Sequence, residues 1–98
     1  MASSDDILLL LYEYGPTMAE HRETYRAAHR EKIAAEREAG RLIAAGPYDP
    51  PTGGLLIFKG VNREYVDKFV AADPYHVAGL VASYRVQPWT PLWESFVS

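Results

Sequence analysis

Four apolar runs along the chain are short and bounded by turn-forming residues, which is typical of β-strands. The first run is apolar on both faces until Glu13 and ends at Gly15-Pro16, so it is predicted to be buried on both sides of a sheet. The predicted strands are residues 7–14, 42–45, 54–59 and 80–87.

A long helix is predicted between the first two strands, from Thr17 to about Ala39, because this segment is rich in Ala, Glu, Arg and Lys. Thr17 and Glu20 have the spacing of a capping box, and Gly40 stands where a left-handed C-terminal cap belongs. Lys32 interrupts the apolar stripe that we expect to pack on the sheet, and its stem is predicted to lie along apolar surface. The predicted stripe is Met18, Tyr25, Ala28, Ala35 and Ala39.

A second helix is predicted after Asn62, a good capping residue. Asp73-Pro74 then begins a short helical turn that reaches about Gly79. The predicted order of elements, βαββαβ, indicates an α+β, ferredoxin-like fold with a four-stranded antiparallel sheet. The 98 residues fit one domain (1–98), with a core over 7–89 and an aromatic C-terminal extension over 90–98. The apolar face of the second helix is predicted to be Tyr65, Val66, Phe69 and Val70.

The two helices can cover one face of such a sheet, which leaves the other face in need of a partner. The third strand is apolar on both sides, since Leu55 and Ile57 alternate with Leu56 and Phe58. An open apolar face of this size predicts a homodimer, packed sheet to sheet around a two-fold axis. The alternative is that the C-terminal tail folds back over this face with its aromatic residues Trp89, Trp93 and Phe96.

Composition excludes several classes of function. The net charge of −3 and the absence of a basic run give no basis for binding nucleic acid or an anionic membrane. The longest apolar run is too short to span a bilayer, and the N-terminus lacks the pattern of a signal peptide. There is no cysteine, which excludes thiol catalysis and suits a cytoplasmic protein.

His29 and Asp73 are the candidates for chemistry, although each also has a purely structural interpretation. His29 lies at the edge of the helical stripe, where a partly buried neutral imidazole can exchange a proton near neutral pH. It can equally be a core-edge histidine bound to a carbonyl group. Asp73 precedes proline and suits a helix N-cap, but a carboxylate there can also orient an imidazole, and its two oxygens permit both roles.

Several other residues are candidates for binding a substrate. Arg26, one turn before His29, can hold an anionic group or pair with Glu23 on the helix surface. Gly46-Pro47 ends a strand where glycine permits a close approach of the backbone to a ligand, or forms only a turn. No metal site is expected, because the histidines lack zinc-binding spacing. An aromatic pocket, or else core and dimer packing, is the expected use of Tyr75, Trp89 and Trp93.

Four motifs together resemble the YCII family, in their order and spacing, from residue 7 to residue 89. They are Arg26-Ala27-Ala28-His29, Gly40-Arg41-Leu42-Ile43-Ala44-Ala45-Gly46-Pro47, Ala72-Asp73-Pro74-Tyr75 with Ala78-Gly79, and Val86-Gln87-Pro88-Trp89. The resemblance implies a ferredoxin-like domain that forms a dimeric α/β barrel related to muconolactone isomerase. It also implies an active site with a paired histidine and aspartate, which correspond to His29 and Asp73. Arg30 departs from the family, which usually has an apolar residue after the histidine.

The resulting hypothesis is a cofactor-independent enzyme that acts on a small cyclic or aromatic anion by elimination, isomerisation or a hydrolysis-like step. A branch of the family eliminates chloride from chlorinated hydroxyquinones without a cofactor. His29 is expected to move the proton, and Asp73 is expected to orient the imidazole of His29. Arg26 is expected to steer the anionic substrate into the site. The rivals are a non-catalytic ligand-binding or accessory module on the same fold, and a structural protein whose apolar tail docks on a partner.

Overall fold

The structure, a computed structural model, describes residues 6–92 and confirms the ferredoxin-like α+β architecture. Each predicted strand and both predicted helices are present, with ends that differ by a few residues from the predicted ones. The short helix after Asp73 forms a separate third element. In chain order the elements are β1 (Ile7–Tyr14), α1 (Met18–Glu38), β2 (Leu42–Pro47), β3 (Gly53–Lys59), α2 (Arg63–Ala72), α3 (Pro74–Val77) and β4 (Val81–Trp89).

The four strands form one antiparallel sheet in the order β2-β3-β1-β4. The most apolar strand, β1, is therefore central. Its even-numbered side chains Leu8, Leu10 and Tyr12 are buried, whereas Leu9 and Leu11 on the other face are partly exposed, so within one chain the predicted burial on both faces is met on one face only. Leu10 of β1 lies opposite Leu56 of β3 and Val86 of β4, and all three side chains are buried. This register aligns the even-numbered residues of β1 with the helix-covered face of the sheet.

The main core lies between this face and the helices. Val66, Phe69 and Val70 of α2 pack against the sheet, and the ring of Phe69 meets that of Phe58 edge to face at a centroid distance of 5.2 Å. Ile33 of α1 packs against the same core. These contacts fix α1 and α2 on one side of the sheet, with α3 between α2 and β4 in the chain.

The opposite face of the sheet carries an apolar strip along β1 and β3. Leu9 lies opposite Ile57, and Leu11 opposite Leu55. Ile57 is buried, whereas the other three side chains remain partly exposed. A second chain packed on this strip stays a prediction. The alternative cover by the tail involves Trp93 and Phe96, which lie outside the described residues.

Two predicted details of α1 are wrong. The Thr17 side chain makes no capping hydrogen bond, so the capping box is not formed. Ala28, Ala35 and Ala39 are exposed, because the helix turns a neighbouring face toward the sheet. That inward face is mostly polar, which explains why an apolar periodicity did not locate it. Its buried or partly buried members are Met18, Arg22, Tyr25, Arg26, His29, Lys32, Ile33 and Glu36.

Other local predictions are confirmed. Gly40 has a φ of +79°, the left-handed conformation expected just after α1. The Asn62 side chain accepts a hydrogen bond from the Tyr65 amide at 2.9 Å and caps α2. The ammonium of Lys32 lies 4.7 Å from the centre of the Phe69 ring, in a cation–π contact, and the predicted course of its stem stays a prediction.

Candidate active site

His29 and Asp73 are in direct contact although they are 44 positions apart in the chain. His29 lies on the inward face of α1, and its Nδ1 is 2.8 Å from Oδ1 of Asp73. Asp73 is fully buried, and the side chain of His29 retains 12% of its exposure. A buried carboxylate bound to one ring nitrogen fixes the orientation of the imidazole and the position of its proton.

Asp73 is held at the junction of α2 and α3, where it ends one helix and begins the next. Its extended backbone (φ −69°, ψ 124°) breaks the helical path, and Pro74 starts α3 with a preset φ. Oδ1 of Asp73 accepts a hydrogen bond from the Tyr75 amide at 3.1 Å. The carboxylate therefore caps α3 and contacts His29 through the same oxygen.

The second carboxylate oxygen of Asp73 is occupied by a buried tyrosine. The hydroxyl of Tyr12, on β1, donates to Oδ2 at 2.6 Å, and Tyr12 is 2% exposed. Burial, together with the negative charge of Asp73, raises the pKa of Tyr12 well above its ordinary value, so the phenol stays protonated and acts as a donor. Asp73 thus has a hydrogen-bonding partner for each oxygen and no exposure to water.

Tyr75 restrains the plane of the His29 ring by stacking on one of its faces. The two rings are stacked at a centroid distance of 3.9 Å and an angle of 14°. Tyr75 is itself buried in a small second core with Met18 and Leu80. The imidazole is thus restrained by a hydrogen bond at one edge and by ring stacking on one face.

A cleft with a volume of about 260 Å³ opens between α1 and the ends of β1, β2 and β3. His29 lines this cleft together with the arginines Arg22, Arg26 and Arg30. Within residues 6–92, no aspartate or glutamate lines the cleft. The cleft is therefore basic, in a chain whose net charge is −3.

The arginines differ in the partners that they have. Nη1 of Arg26 is 2.5 Å from a carboxylate oxygen of Glu23 on the helix surface, as one of its two sequence interpretations predicted. The Nε atoms of Arg22 and Arg26 are both buried and have no hydrogen-bond partner in the described part of the chain. Buried donors are normally satisfied, so these atoms require an explanation.

The opposite wall of the cleft is formed by strand backbone with little side-chain bulk. Gly46 and Pro47 of β2 lie there, as does Gly54 of β3. A Cβ atom at Gly54 would lie 3.1 Å from the Tyr14 hydroxyl and 3.3 Å from the Gly46 carbonyl oxygen. Glycine at position 54 therefore keeps the space in front of Tyr14 open.

Trp89 lies away from this cleft. It stands at the end of β4 opposite Ile7, and it lines a separate depression of about 550 Å³ with Arg63 and Pro91. Neither His29 nor Asp73 lines that depression, so within one chain Trp89 does not contribute to the cleft beside His29. Trp93, the other candidate for an aromatic wall, lies outside the described residues.

Several residues of the cleft were not identified by the sequence analysis, and four of them have contacts described above. Tyr12 has the same parity in β1 as buried Leu8 and Leu10, which places it on the helix-covered face. Arg22 precedes Arg26 by one helical turn, a repeat that would have indicated a basic face. Tyr14 and Gly54 become neighbours only through strand pairing, which leaves no local signal. These four residues are Tyr12, Tyr14, Arg22 and Gly54.

Residues 6–92 contain neither a cluster of metal ligands nor a helix that could span a membrane. No three or more histidine, aspartate or glutamate side chains in this range are grouped as ligands for a metal ion. No helix in it combines the length and the apolar character needed to cross a bilayer.

Comparisons with known proteins place this geometry in context. A family model, that of the YCII-related domain, matches residues 7–90. A solved structure, 5-chloro-2-hydroxyhydroquinone dehydrochlorinase (TftG) from Burkholderia phenoliruptrix AC1100 in complex with 2,5-dihydroxybenzoquinone, is similar with a TM-score of 0.75 and 26% sequence identity. The similarity covers 86% of this chain and 93% of that one. No match was found among curated proteins.

Proposed function

The chain belongs to the family of YCII-related domains, and we propose that it is a cofactor-independent enzyme that transfers a proton on a small, ring-shaped, anionic metabolite. The observation that carries the proposal is the 2.8 Å contact of His29 with the fully buried Asp73 at the wall of an arginine-lined cleft. Of the three reactions that this histidine and aspartate could support, we favour an elimination. Isomerisation and a hydrolysis-like step are the alternatives.

The proposed roles follow from the hydrogen bonds of the pair. With Asp73 ionised, Nδ1 of His29 carries the proton that is donated to Oδ1, and Nε2 keeps its lone pair. That lone pair acts as a general base toward a ligand in the cleft. When the imidazole gains the proton, the adjacent carboxylate stabilises the resulting cation without itself becoming protonated. The stacked Tyr75 holds the ring in plane during the transfer.

The similar dehydrochlorinase supports a ring substrate that bears ionised hydroxyl groups, since it acts on a chlorinated hydroxyhydroquinone and binds a dihydroxybenzoquinone. In such an elimination, the ring carbon that bears chlorine first gains a proton as one ring hydroxyl loses its own and becomes a ketone. His29 then accepts the proton of a second ring hydroxyl, whose electron pair forms a new C=O bond. The adjacent ring double bond shifts to the chlorine-bearing carbon, and chloride departs with its bonding pair, so that the net change is the loss of HCl. The step is redox-neutral overall, so it needs no oxidant or reductant.

The remaining cleft residues have binding roles in this proposal. Arg26 attracts the anion, although its pairing with Glu23 reduces the charge available to the ligand. Gly46 and Pro47 allow the ligand to approach the backbone of β2, because glycine presents no side chain there. The volume of about 260 Å³ suits a ligand smaller than a typical drug molecule, such as a single substituted ring.

A homodimer is part of the same proposal. The apolar strip of Leu9, Leu11, Leu55 and Ile57 lies on the sheet face opposite the helices, and a second copy of the chain is the partner that satisfies it by symmetry. A cytoplasmic location remains a prediction from the sequence.

The test is an anaerobic assay of the purified protein with 5-chloro-2-hydroxyhydroquinone, following chloride release and the absorbance of the quinone product. We expect turnover in the wild type and a loss of about a hundredfold or more in His29→Ala. The control is His21→Ala, which removes an exposed histidine from the same helix and should leave turnover unchanged.

Two outcomes would contradict the proposal. If His29→Ala retains wild-type turnover, His29 is not the base. If calorimetry detects binding of 2,5-dihydroxybenzoquinone but neither this substrate nor related ring anions yield product, the chain is instead a ligand-binding module, the rival function that the same cleft permits.

A further inference from the structure

We propose that Arg22 is the principal anchor for an anionic oxygen of the ligand, with the Tyr14 hydroxyl beside it, and that this pair determines the charge and orientation of the ligand. The inference rests on the proposed function, because it names the binding partner of the same cleft. It assigns the main anion contact to a residue other than Arg26.

The first reason to assign the anchor to Arg22 is the burial of its side chain and the partners that it has. It is partly buried on the inward face of α1, and its Nε has no hydrogen-bond partner among the residues that the structure describes. Across residues 6–92 it also makes no ion pair. A partly desolvated guanidinium without a counter-ion is unfavourable unless an anion binds to it, since the group keeps its charge throughout the physiological pH range.

Arg26 provides the contrast. Its guanidinium is bound to Glu23, so an incoming anion must compete with a carboxylate that is already present. Arg22 offers the ligand an unpaired fork of donors in the same cleft. The stronger contact is therefore expected at Arg22, with Arg26 in a supporting role.

The spacing of the cleft side chains along α1 indicates how long the bound ligand should be. Arg22, Arg26 and His29 are at positions i, i+4 and i+7 and share one face of the helix. The backbones of Arg22 and His29 are separated by about 10 Å along the helix axis. We therefore expect a single six-membered ring with oxygen substituents at opposite ends to contact both side chains in the cleft that they share.

Tyr14 completes the anchor. Its hydroxyl lies in the same cleft and faces the space that the missing Cβ of Gly54 leaves open. Burial raises the pKa of Tyr14, although the nearby positive charge of Arg22 acts in the opposite direction. The phenol therefore stays neutral at physiological pH and can donate to an anionic oxygen that Arg22 holds.

Calorimetric titration with 2,5-dihydroxybenzoquinone tests the inference. This compound ionises readily because each hydroxyl is conjugated with a carbonyl group. We expect Arg22→Ala to weaken its binding by about tenfold or more and Arg26→Ala to weaken it less. Arg22→Lys should recover part of the affinity, because it restores the charge without the planar fork. The neutral probe 1,4-hydroquinone should bind the wild type and Arg22→Ala equally.

The matched control is Arg37→Ala, which removes an exposed arginine from the last turn of the same helix and should leave the affinity unchanged within about twofold. Melting of the ligand-free proteins separates binding from folding. Arg22→Ala should melt at or above the wild-type temperature, because it removes an unsatisfied buried donor.

The outcomes are distinct. Equal affinity of the wild type and Arg22→Ala would overturn the inference, as would a loss of affinity that accompanies a lowered melting temperature. A wild type that does not bind the quinone would overturn the inference and the proposed ligand class together. Binding that depends on Arg22, without turnover of the chlorinated substrate, would support the anchor and reject the proposed catalysis.

Discussion

Tyr12 donates a hydrogen bond to Asp73 across 61 positions of sequence, with its hydroxyl 2.6 Å from Oδ2, and neither residue has appreciable contact with water. The bond ties the central strand to the junction of α2 and α3. It also occupies the carboxylate oxygen that His29 does not use. Tyr12 is thus a positioning residue for the pair, since it acts on the imidazole through the carboxylate.

The first prediction concerns Tyr12→Phe. The variant leaves Oδ2 of Asp73 buried without a donor, so we expect a loss of about 1–3 kcal/mol in the free energy of unfolding. Because the carboxylate also loses one of the two contacts that hold it against His29, turnover should fall as well. Denaturant unfolding and steady-state kinetics at one pH measure the two effects.

Tyr84→Phe is the matched control for this variant. Tyr84 lies directly opposite Tyr12 in the neighbouring strand, and its hydroxyl donates to Asp67 at 3.0 Å on the exposed surface. Its removal should leave turnover unchanged. A Tyr12→Phe variant that is less stable but turns over at the wild-type rate would show that the hydroxyl has only a structural role.

The second prediction separates the two roles of Asp73. Asparagine is as good an N-cap as aspartate, so Asp73→Asn can keep the bond from the Tyr75 amide, whereas Asp73→Ala cannot. We expect Asp73→Asn to be more stable than Asp73→Ala, but both to lose about a hundredfold or more in turnover, because neither supports the imidazolium ion. Nitrogen chemical shifts of His29 should show a changed tautomer in both variants.

A different ranking would contradict this assignment. If Asp73→Asn retains turnover in proportion to its stability, the carboxylate serves mainly as a helix cap. The sequence interpretation of Asp73 as a cap would then be sufficient by itself.

The third prediction tests the dimer. Leu11→Lys places a charge in the middle of the apolar strip, where a second chain would bring two such charges close together across the two-fold axis. We expect the wild type to sediment at twice the mass of one chain and Leu11→Lys at the mass of one. Val77→Lys, at a side chain that is 70% exposed on α3, should sediment like the wild type. A folded wild type that sediments as a single chain would reject the dimer.

Local chemistry explains which parts of this molecule could be predicted from its sequence. Gly40 and Asn62 were assigned correctly because a left-handed residue and a helix cap depend on their immediate neighbours. Strand β1 was evident because its apolar run is short and ends at the turn-forming pair Gly15-Pro16. The order of elements then left few topologies to consider.

The inward face of α1 could not be predicted in the same way. A helix that lines a polar cleft buries arginine and histidine there, so its apolar periodicity points to the wrong face, as the exposed Ala28 and Ala35 show. The proximity of Tyr14 and Gly54 depends on the pairing of β1 with β3, which no local signal encodes. The site therefore lies where the hydrophobic pattern is weakest, as expected when function requires buried polar groups.

A second buried carboxylate, Glu36, lies at the far end of the same helix face and has a structural role. It accepts hydrogen bonds from Nε of Arg41 at 2.8 Å and from the Tyr65 hydroxyl at 2.8 Å. These contacts connect the end of α1 to the start of β2 and to α2. Burial alone opposes ionisation, but the bonds from Arg41 and Tyr65 outweigh it and lower the pKa of Glu36 below its ordinary value of 4.5.

The last prediction follows from the sign of that shift. Because the pKa of Glu36 is lower in the folded state than in the unfolded state, its contribution to stability is present above the ordinary carboxyl pKa and is lost as the pH falls through the folded value. Glu36→Gln should therefore cost about 1–3 kcal/mol at pH 7, and the difference from the wild type should shrink below pH 4.5. Denaturant unfolding at pH 7 and at a pH below 4.5 measures the difference in the free energy of unfolding between the two proteins. Glu38→Gln, exposed on the same helix, should match the wild type throughout, and a Glu36→Gln deficit that does not change with pH would rule out the ionised carboxylate as its cause.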